Sequence, residues 1–321
     1  MISTNSLISL LKSSPETTFP TEKEAEQILK WCEKNQTQIL TSSQFPISLQ
    51  NIPMKPKVLF VKGNRDCFRL PLVAIVGARE ASSYGMACAF RFGKEIASAG
   101  IGVVSGLAKG IDGASHQGAL VAKGKTIAVL GSGFSCLYPR QNRRLAFEIL
   151  EKGGVWVSEY PPFTPPLAHH FPQRNRIISG LSLGTLVVEA RKKSGSLITA
   201  LCSLEQGREV FVVPGPIDQG NFQGAHELIQ QGAKLVSHLE DILEELSINL
   251  SEPLKKLPPS GVPYPFGEPF TLSDWLENSG ENGLAKLESA ISNGEILQVA
   301  PQRYLSIKEQ FVEATCQMQK S

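Results

Sequence analysis

The segment from His170 to Ala200 carries residues whose types and spacing suit one kind of chemistry, the binding of anions. It contains two arginines, Arg174 and Arg176, on a predicted short helix, followed by an apolar strand over Thr185–Val188. A polar turn, KKSGS at residues 192–196, then opens a second predicted helix. A glycine- and serine-containing turn that starts a helix leaves backbone N–H groups free, and these groups attract phosphate together with the helix dipole. The alternative is that Ser194 is only a helix cap and the arginines are only solvated.

Apolar segments of strand length alternate with amphipathic or turn-opened segments of helix length from residue 72 onward. The predicted strands are Leu72–Val76, Ile101–Val104, Thr126–Leu130, Val155–Val157, Thr185–Val188, Val210–Val213 and Lys234–Val236. The predicted helices between them include Gly85–Ala99, Asp112–Ala122, Asn142–Lys152 and Leu197–Gln206. Buried-type strands that alternate with helices predict an α/β fold with a doubly wound parallel sheet.

Small-residue turns follow four of these predicted strands. They are Gly77-Ala78-Arg79, Ser105-Gly106-Leu107, Gly131-Ser132-Gly133 and Ser194-Gly195-Ser196. Sheets of this class bind ligands at the carboxyl ends of their strands, and those ends share one edge of the sheet. The repetition therefore favours anion binding over simple helix capping and predicts a long surface able to follow several phosphates.

The charge is distributed unevenly along a chain whose formal net charge is only +2. Residues 71–215 hold 16 Lys/Arg against 9 Asp/Glu, a net +7, and residues 1–70 are net +3. Residues 216–250 are net −5, and residues 251–321 are net −3. The positive charge coincides with the glycine-containing turns, which favours a polyanionic ligand of the middle domain and disfavours strong DNA binding by the tail.

A length of 321 residues suits one large domain with one or two small ones. We expect an N-terminal appendage over 1–70, with an unpatterned lead to about Pro20, a helix at Glu22–Glu33 and a short lead-in strand. The main domain is predicted at 71–246 and a linker at 247–262. Residues 263–321 predict helix, helix and β-hairpin, the outline of a small winged-helix-like C-terminal domain.

Composition limits the compartment and the cofactors. The six cysteines form no CxxC pair, which predicts reduced thiols without a disulfide framework or a zinc site. No apolar run reaches the ~18 residues needed to span a bilayer, and the N-terminus lacks the features of a signal peptide. We therefore expect a soluble cytoplasmic protein with no membrane partner.

Two segments partly match enzyme motifs but lack the spacing or the residues that those motifs require. GALVAKGKT at 118–126 has five residues between Gly118 and Gly124 where a Walker A loop needs four, and it precedes a strand. The dinucleotide fingerprint also fails, because Arg79 follows the first strand where a second glycine should stand. Asp112 is interpreted as a structural helix cap and Glu189 as an ion-pair partner of the basic residues. No catalytic site, metal site or cofactor is predicted.

Motifs across the middle of the chain resemble those of the DNA-processing protein A family, DprA/Smf. They are AIVGARE at 74–80, SGLAKGIDGASHQGAL at 105–120, TIAVLGSG at 126–133, YPRQN at 138–142, VSEYP at 157–161, FPQRNRIISGLS at 171–182, SGSLITA at 194–200 and GREVFVVPG at 207–215. The combination of FPxRNRII with SGSLIT is highly specific. The resemblance covers about Phe45 to Leu246, and the N-terminal helical region of the family is shortened here.

The resemblance implies an extended Rossmann-like fold that binds single-stranded DNA without sequence preference and has no catalytic activity. It also implies a role in natural transformation or recombination, in which the protein protects incoming DNA and helps to load RecA recombinase. The positions expected to bind DNA are Gly77, Arg79, Ser105, Gly106, Lys109, Arg140, Phe171, Arg174, Asn175, Arg176, Lys193, Ser194, Gly195, Ser196 and Thr199, and the resemblance places Tyr138 and Pro139 beside Arg140 in the same groove. Phe171 is expected to stack on a base. Arg176 has a second interpretation, an inward-facing ion pair with Glu159 or Glu189.

The resemblance further implies a homodimer. The apolar residues expected at its interface are Leu228, Ile229, Leu235 and Val236, and the alternative is that they complete the core of their own domain. A different class of function also stays open at this point, a nucleotide-processing enzyme or nucleotide sensor on a fold like that of the Lonely Guy family. The PGGxGTxxE hallmark of that family is absent from the sequence.

Overall fold

The computed structural model describes residues 2–12, 20–248, 269–279, 282–293, 296–300 and 303–306, so most of the predicted linker lies outside the described residues. The strands are β1 (Thr37–Thr41), β2 (Val58–Gly63), β3 (Leu72–Val76), β4 (Gly102–Ser105), β5 (Thr126–Val129), β6 (Val155–Ser158), β7 (Gly184–Val187), β8 (Glu209–Val212), β9 (Lys234–Leu235), β10 (Pro269–Thr271), β11 (Ile296–Ala300) and β12 (Arg303–Ser306). The α-helices are α1 (Thr4–Lys12), α2 (Glu22–Lys34), α3 (Ile47–Gln50), α4 (Ser83–Ser98), α5 (Ile111–Val121), α6 (Arg143–Glu151), α7 (His170–Leu181), α8 (Gly195–Glu205), α9 (Gln223–Gln230), α10 (Leu239–Glu245), α11 (Leu272–Ser279) and α12 (Gly283–Ser292). None of these helices is long and apolar enough to cross a bilayer.

The main sheet has the strand order β1-β2-β6-β5-β4-β3-β7-β8-β9. The strands from β6 to β9 pair in parallel with their neighbours, as predicted for a doubly wound sheet. β2, the lead-in strand predicted within the N-terminal appendage, and β1, which was not predicted, extend this sheet in antiparallel fashion from β6. The α/β class is confirmed, and residues 37–63 are continuous with the main sheet.

Helices cover both faces of the sheet because alternate strand residues point to opposite sides. Ala74 and Val76 of β3 belong to the same core cluster as Ile178 of α7. Val73 and Ile75 of the same strand belong to a second cluster, which contains residues of α4, α5 and α10. Each face is therefore sealed by its own helix layer, and the edge formed by the strand ends is left for a ligand.

Residues 2–12 depart from the sequence prediction in one respect. Thr4–Lys12 forms a helix, although no regular structure was predicted before Pro20. Leu7 and Leu11 of this helix are buried in a cluster with residues of α2 and α6. Tertiary packing of these two leucines supports a helix too short to be stable in isolation.

The C-terminal elements form a small unit of their own. β10, β12 and β11 make a three-stranded antiparallel sheet around a core that includes Phe270, Trp275 and Leu287. The predicted order of helix, helix and hairpin is seen, with β10 added before the first helix. The unit contacts α4, since Lys94 Nζ donates to the Asn293 carbonyl at 2.6 Å.

His116 of α5 is a buried imidazole with a defined tautomer. The Thr126 hydroxyl donates to the Val103 carbonyl at 2.9 Å, so it accepts from Nδ1–H of His116 at 2.7 Å. Nε2 of His116 is buried with no hydrogen-bond partner in the described part of the chain. Burial, with a further contribution from the charge of Arg174, lowers the pKa of His116 to about 3.

This lowered pKa makes stability depend on pH. Between about pH 6.5 and 3 the unfolded chain binds a proton that the folded His116 does not, so stability falls as the pH falls. We expect the free energy of unfolding to drop by up to about 1.4 kcal/mol per pH unit from this group. Urea unfolding of His116→Gln across this range should show a shallower dependence than wild type. His238→Gln, at an exposed position, serves as the control, and equal slopes for His116→Gln and wild type would contradict the assignment.

Candidate nucleic-acid interface

A cleft of about 580 Å³ opens at the carboxyl ends of β3 and β7. These strands are neighbours, but β4 to β6 lie on one side of β3 and β7 to β9 on the other. This reversal of strand order separates the loops that follow the two strands, which is where doubly wound sheets bind ligands. The predicted positions that line the cleft are Gly77, Arg79, Phe171, Arg174, Asn175, Lys193, Ser194, Gly195, Ser196 and Thr199.

The N-terminus of α8 forms one end of the cleft. Ser194 caps this helix, and its hydroxyl lies 2.8 Å from that of Ser196. A Cβ built on Gly195 would meet nothing within 4 Å, so the space in front of this turn is open. Lys193 has a φ of 62°, a left-handed conformation that closes the turn between β7 and α8. The helix therefore presents its first N–H groups and its positive dipole end to the cleft.

At the other side of the cleft, the exposed cation of Arg79 lies above the aromatic ring of Phe171. The guanidinium carbon of Arg79 is 5.2 Å from the ring centroid of Phe171. Neither Arg79 nor Lys193 forms an ion pair among the described residues. Lys192 differs, because its Nζ lies 2.7 Å from Oε1 of Glu227 on α9. Arg79 and Lys193 are therefore cations whose charge a ligand can neutralise.

Arg174 also faces the cleft but is bound to the protein. Its side chain is 3% exposed, and Nη1 donates to the Gly106 carbonyl at 2.8 Å and to the Val129 carbonyl. Burial lowers the pKa of Arg174 to about 10, a value at which it keeps its charge at neutral pH. Burial also raises the pKa of Asp112, against the opposing charge of Arg174. Arg174 thus supports the cleft from beneath and has few donors left for a ligand.

Two predicted contact residues after β4 are used inside the protein. Ser105 is fully buried and donates to the Ile75 carbonyl at 2.6 Å. Gly106 donates its N–H to Asp112 at 3.0 Å, and a Cβ at this position would lie 2.5 Å from Arg174 Nη2. Only glycine fits between the two charged groups. Ser105 and Gly106 therefore belong to the support of the cleft and lie outside its lining.

Arg176 forms the inward-facing ion pair that was its second interpretation. Nη1 and Nη2 donate to the two carboxylate oxygens of Glu159 at 2.7 and 2.6 Å, and Nε donates to the Met54 carbonyl. Burial acts to lower the pKa of Arg176, but the hydrogen bonds and charge of Glu159 outweigh it and raise that pKa. Both side chains are 13% exposed. This arginine joins α7 to the segment before β2 and is not available to a ligand.

The interpretation of Glu189 as an ion-pair partner of the basic residues is wrong. Its carboxylate accepts from the backbone N–H of Ser82 at 3.0 Å and from the Ser82 hydroxyl at 2.6 Å. Ser82 in turn caps α4. The helix-cap interpretation of Asp112 is also wrong, because the N-cap of α5 is Gly110 and makes no side-chain cap. Asp112 has a structural role of another kind, since it accepts from the N–H groups of Gly106 and Ala108 in the preceding loop.

The remaining predicted positions lie around the cleft. Asn175 donates to the Gly195 carbonyl at 3.2 Å, which ties α7 to the start of α8. Lys109 and Arg140 are exposed beside the cleft and do not line it. The lining includes two cations absent from the predicted set, Arg191 and Lys192. The net positive charge of this segment was the signal for them. No cluster able to hold a metal occurs among the described residues.

The fold and the cleft together define a class, Rossmann-like α/β proteins with an anion-binding cleft at the point where strand order reverses. The chain belongs to the family of DNA recombination-mediator protein A, whose model matches residues 36–247. This agrees with the motifs identified in the sequence.

Curated relatives and solved structures give the same result. The chain is 49% identical to Protein Smf of Escherichia coli over 234 residues, which is 72% of this chain and 62% of that protein. It is 47% identical to DNA processing protein DprA of Bacillus subtilis, covering 67% of this chain and 73% of that one. The crystal structure of DprA from Streptococcus pneumoniae matches with a TM-score of 0.64 and 38% identity, covering 76% and 87% of the two chains.

A second matching structure is that of DNA processing protein A from Helicobacter pylori, with a TM-score of 0.60. That structure describes the single-stranded DNA binding mode of the H. pylori protein. The identity is 27%, and the match covers 66% of this chain and 96% of that one. The chain spans 62% of the length of the E. coli relative, somewhat less than two thirds.

The Arg176–Glu159 pair generates a stability prediction. Arg176→Gln should lower the free energy of unfolding by about 3 kcal/mol, because it leaves Glu159 without its partner in a mostly buried position. Arg69→Gln is the matched control, since its ion pair with Asp66 is 85% and 70% exposed and should contribute less than about 1 kcal/mol. Urea unfolding at neutral pH measures both, and similar losses for the two variants would contradict the structural role of Arg176.

Proposed function

We propose that the chain binds single-stranded DNA along the carboxyl edge of its sheet and acts in DNA processing for natural transformation or recombination. The observation that carries this proposal is the combination, in one cleft, of an aromatic ring, unpaired cations and a helix N-terminus. Aromatic rings stack on bases of any sequence, and the cations and free N–H groups bind phosphates. The family, and the H. pylori relative in particular, support a nucleic acid as the polyanion.

The cleft favours binding without sequence preference. Most of its polar groups are arginine and lysine side chains, hydroxyls and backbone N–H groups, which contact phosphate and sugar. Glu80, Asp112 and Asn175 also line it. The proposed activity therefore needs neither a defined sequence nor a nucleotide cofactor.

A purely binding role fits the carboxylates near the cleft. Asp112 accepts from two backbone N–H groups and lies against Arg174, and Glu189 is held by Ser82. Neither is placed as a free base for cleavage of a nucleotide. The competing hypothesis of a Lonely-Guy-like enzyme is tested by incubating the protein with nucleoside monophosphates. Release of free base, abolished in Glu189→Gln, would replace the binding proposal by an enzymatic one.

The proposal extends to partners and place of action. It places the protein in the cytoplasm, where it would deliver bound single strands to a RecA-type recombinase. Co-sedimentation of such a recombinase with protein-bound single strands tests this step, and a recombinase that stays in the supernatant would remove it.

A homodimer completes the proposal. Of the four residues expected at its interface, Leu228 and Val236 are buried in the core, Ile229 is half-buried, and Leu235 is 47% exposed on the edge strand β9.

The central test is a titration with single-stranded and blunt duplex oligonucleotides of equal length across salt concentrations. We expect tighter binding of the single strand, similar affinity for different sequences, and no effect of ATP. Fluorescence anisotropy provides the measurement. Equal affinity for the duplex would contradict the proposal.

Variants of the two unpaired cations assign the binding to this cleft. Arg79→Gln and Lys193→Gln should each weaken binding about fivefold, or about 1 kcal/mol. Each should also reduce the magnitude of the slope of the logarithm of the binding constant against the logarithm of salt concentration, the salt slope. The expected reduction is about 0.7, the value for one phosphate contact with a single strand. Lys123→Gln is the control, because Lys123 is exposed at the C-terminal end of α5, on the opposite edge of the sheet. A salt slope unchanged by the cleft variants would exclude those residues from contact.

The dimer is tested at β9. Leu235→Asp should shift the protein toward a monomer in sedimentation at micromolar concentration, because it places a charge where two apolar surfaces would pack. Ile47→Asp, at an 82% exposed position on α3, is the control for adding one surface charge. A wild-type protein that sediments as a monomer while binding DNA would contradict the dimer proposal.

A further inference from the structure

Three arginines stand together just outside the cleft. Arg140 lies in the short turn before α6, and Arg143 and Arg144 are the first two residues of that helix. All three are exposed, and in the part of the chain that the structure describes none of them forms an ion pair. We call Arg140, Arg143 and Arg144 the arginine shelf. Their charge is left for a partner outside the protein.

The position of the shelf is unfavourable for folding. The N-terminus of a helix is the positive end of its dipole, so cations there are repelled and acids are preferred. The first turn of α6 contains no acid. Asn142, at the N-cap position, makes no side-chain cap, because its amide donates to the carbonyls of Leu107 and Ala108 at 2.9 and 2.8 Å. Neither an acid in the first turn nor a side-chain cap offsets the repulsion of the two arginines by the helix dipole, which points to an anionic ligand.

The shelf is continuous with the cleft. Tyr138, two residues before Arg140, has its ring centroid 5.5 Å from that of Phe171 in the cleft. The bond from Asn142 to the Ala108 carbonyl joins the start of α6 to a residue of the cleft lining. A chain that leaves the cleft over Phe171 therefore meets Tyr138 and then the shelf.

Aromatic surface accompanies the arginines along this path. Tyr138 is 43% exposed and Phe147 is 42% exposed. The guanidinium carbon of Arg143 lies 5.9 Å from the ring centroid of Phe147, which is held in place by an edge contact with buried Trp156 at 5.3 Å. Cations interleaved with half-exposed aromatic rings match the alternation of phosphate and base in a single strand.

We propose that the arginine shelf, with Tyr138 and Phe147, is a second subsite that binds the part of the same single strand that continues out of the cleft. This inference rests on the proposed function, and it assigns contacts to Arg143, Arg144 and Phe147. Short oligonucleotides fill the cleft alone, whereas longer ones engage both subsites. The shelf thereby sets the footprint on DNA and the direction in which the strand leaves.

The test compares oligothymidines from about 4 to about 16 nucleotides. Wild type should gain affinity with length until both subsites are filled. The double variant Arg143→Gln/Arg144→Gln should bind the short oligonucleotides as wild type does and the long ones about tenfold more weakly. Its salt slope on long oligonucleotides should fall by about 1.4, twice the value for one phosphate contact.

Arg65→Gln/Arg69→Gln is the matched control. It removes two exposed arginines from the turn that precedes β3, on the opposite edge of the sheet, and should leave binding unchanged at every length. A shelf variant that binds all lengths as wild type does would overturn the inference and leave the proposed function intact. The same holds if the arginine shelf binds an acidic protein and makes no contribution to binding of the oligonucleotides. Equal weakening at all lengths would also overturn it. Failure of wild type to bind any oligonucleotide would instead overturn the proposed function.

Thermal unfolding gives an independent readout of the shelf variant. Because the two arginines oppose the helix dipole, their replacement should leave the protein at least as stable as wild type. A clear loss of stability would show that the arginines serve the fold, and would overturn the argument from their position.

Discussion

The buried guanidinium of Arg174 is the interaction on which the ligand-binding edge depends. It lies where α7 crosses the ends of β4 and β5, and it is bound by the carbonyls of Gly106 and Val129. A buried charge without such partners would cost far more than a helix contact can supply, so these bonds hold α7 in one position. That position places Phe171 and Asn175, on the same helix, against the cleft. Asp112 completes the arrangement by holding the loop that carries Gly106.

Arg174 and Arg176 thus both have structural roles, and the cations without an ion pair lie on other elements. Residues two apart on a helix point about 200° away from each other. Arg174 is directed to the strand ends and Arg176 to Glu159 and the Met54 carbonyl. Arg79 and Lys193, on the loops after β3 and β7, keep their charge unpaired beside the cleft. The internally bound arginines therefore lie on the helix and the unpaired cations on the loops, an arrangement usual where a rigid scaffold presents functional residues.

The cleft is also connected to the end of the sheet. Lys192 pairs with Glu227 of α9, and Arg191 donates to Asn221 just before that helix. The backbone N–H groups of Gly224 and Ala225 both donate to the carbonyl of Ala190, which follows β7. These contacts tie the turn before α8 to α9, which leads into the edge strand β9. The acidic segment that follows residue 215 in the sequence supplies the carboxylate that moderates the positive charge of this turn.

The sequence by itself determined the α/β class, the parallel strands, the edge at which the cleft opens and the turn that opens α8, because these depend on local periodicity and on glycine and serine at strand ends. It also determined the family through its motifs. Only the tertiary structure decided which charged groups are free. Arg174 meets Gly106 from 68 residues away, and Glu189 meets Ser82 from 107 residues away. Local patterns record how residues alternate between inside and outside, but they do not record which distant carbonyl or hydroxyl will occupy a given donor. For the same reason α1 escaped prediction, since Leu7 and Leu11 are helical through their contacts with α2 and α6.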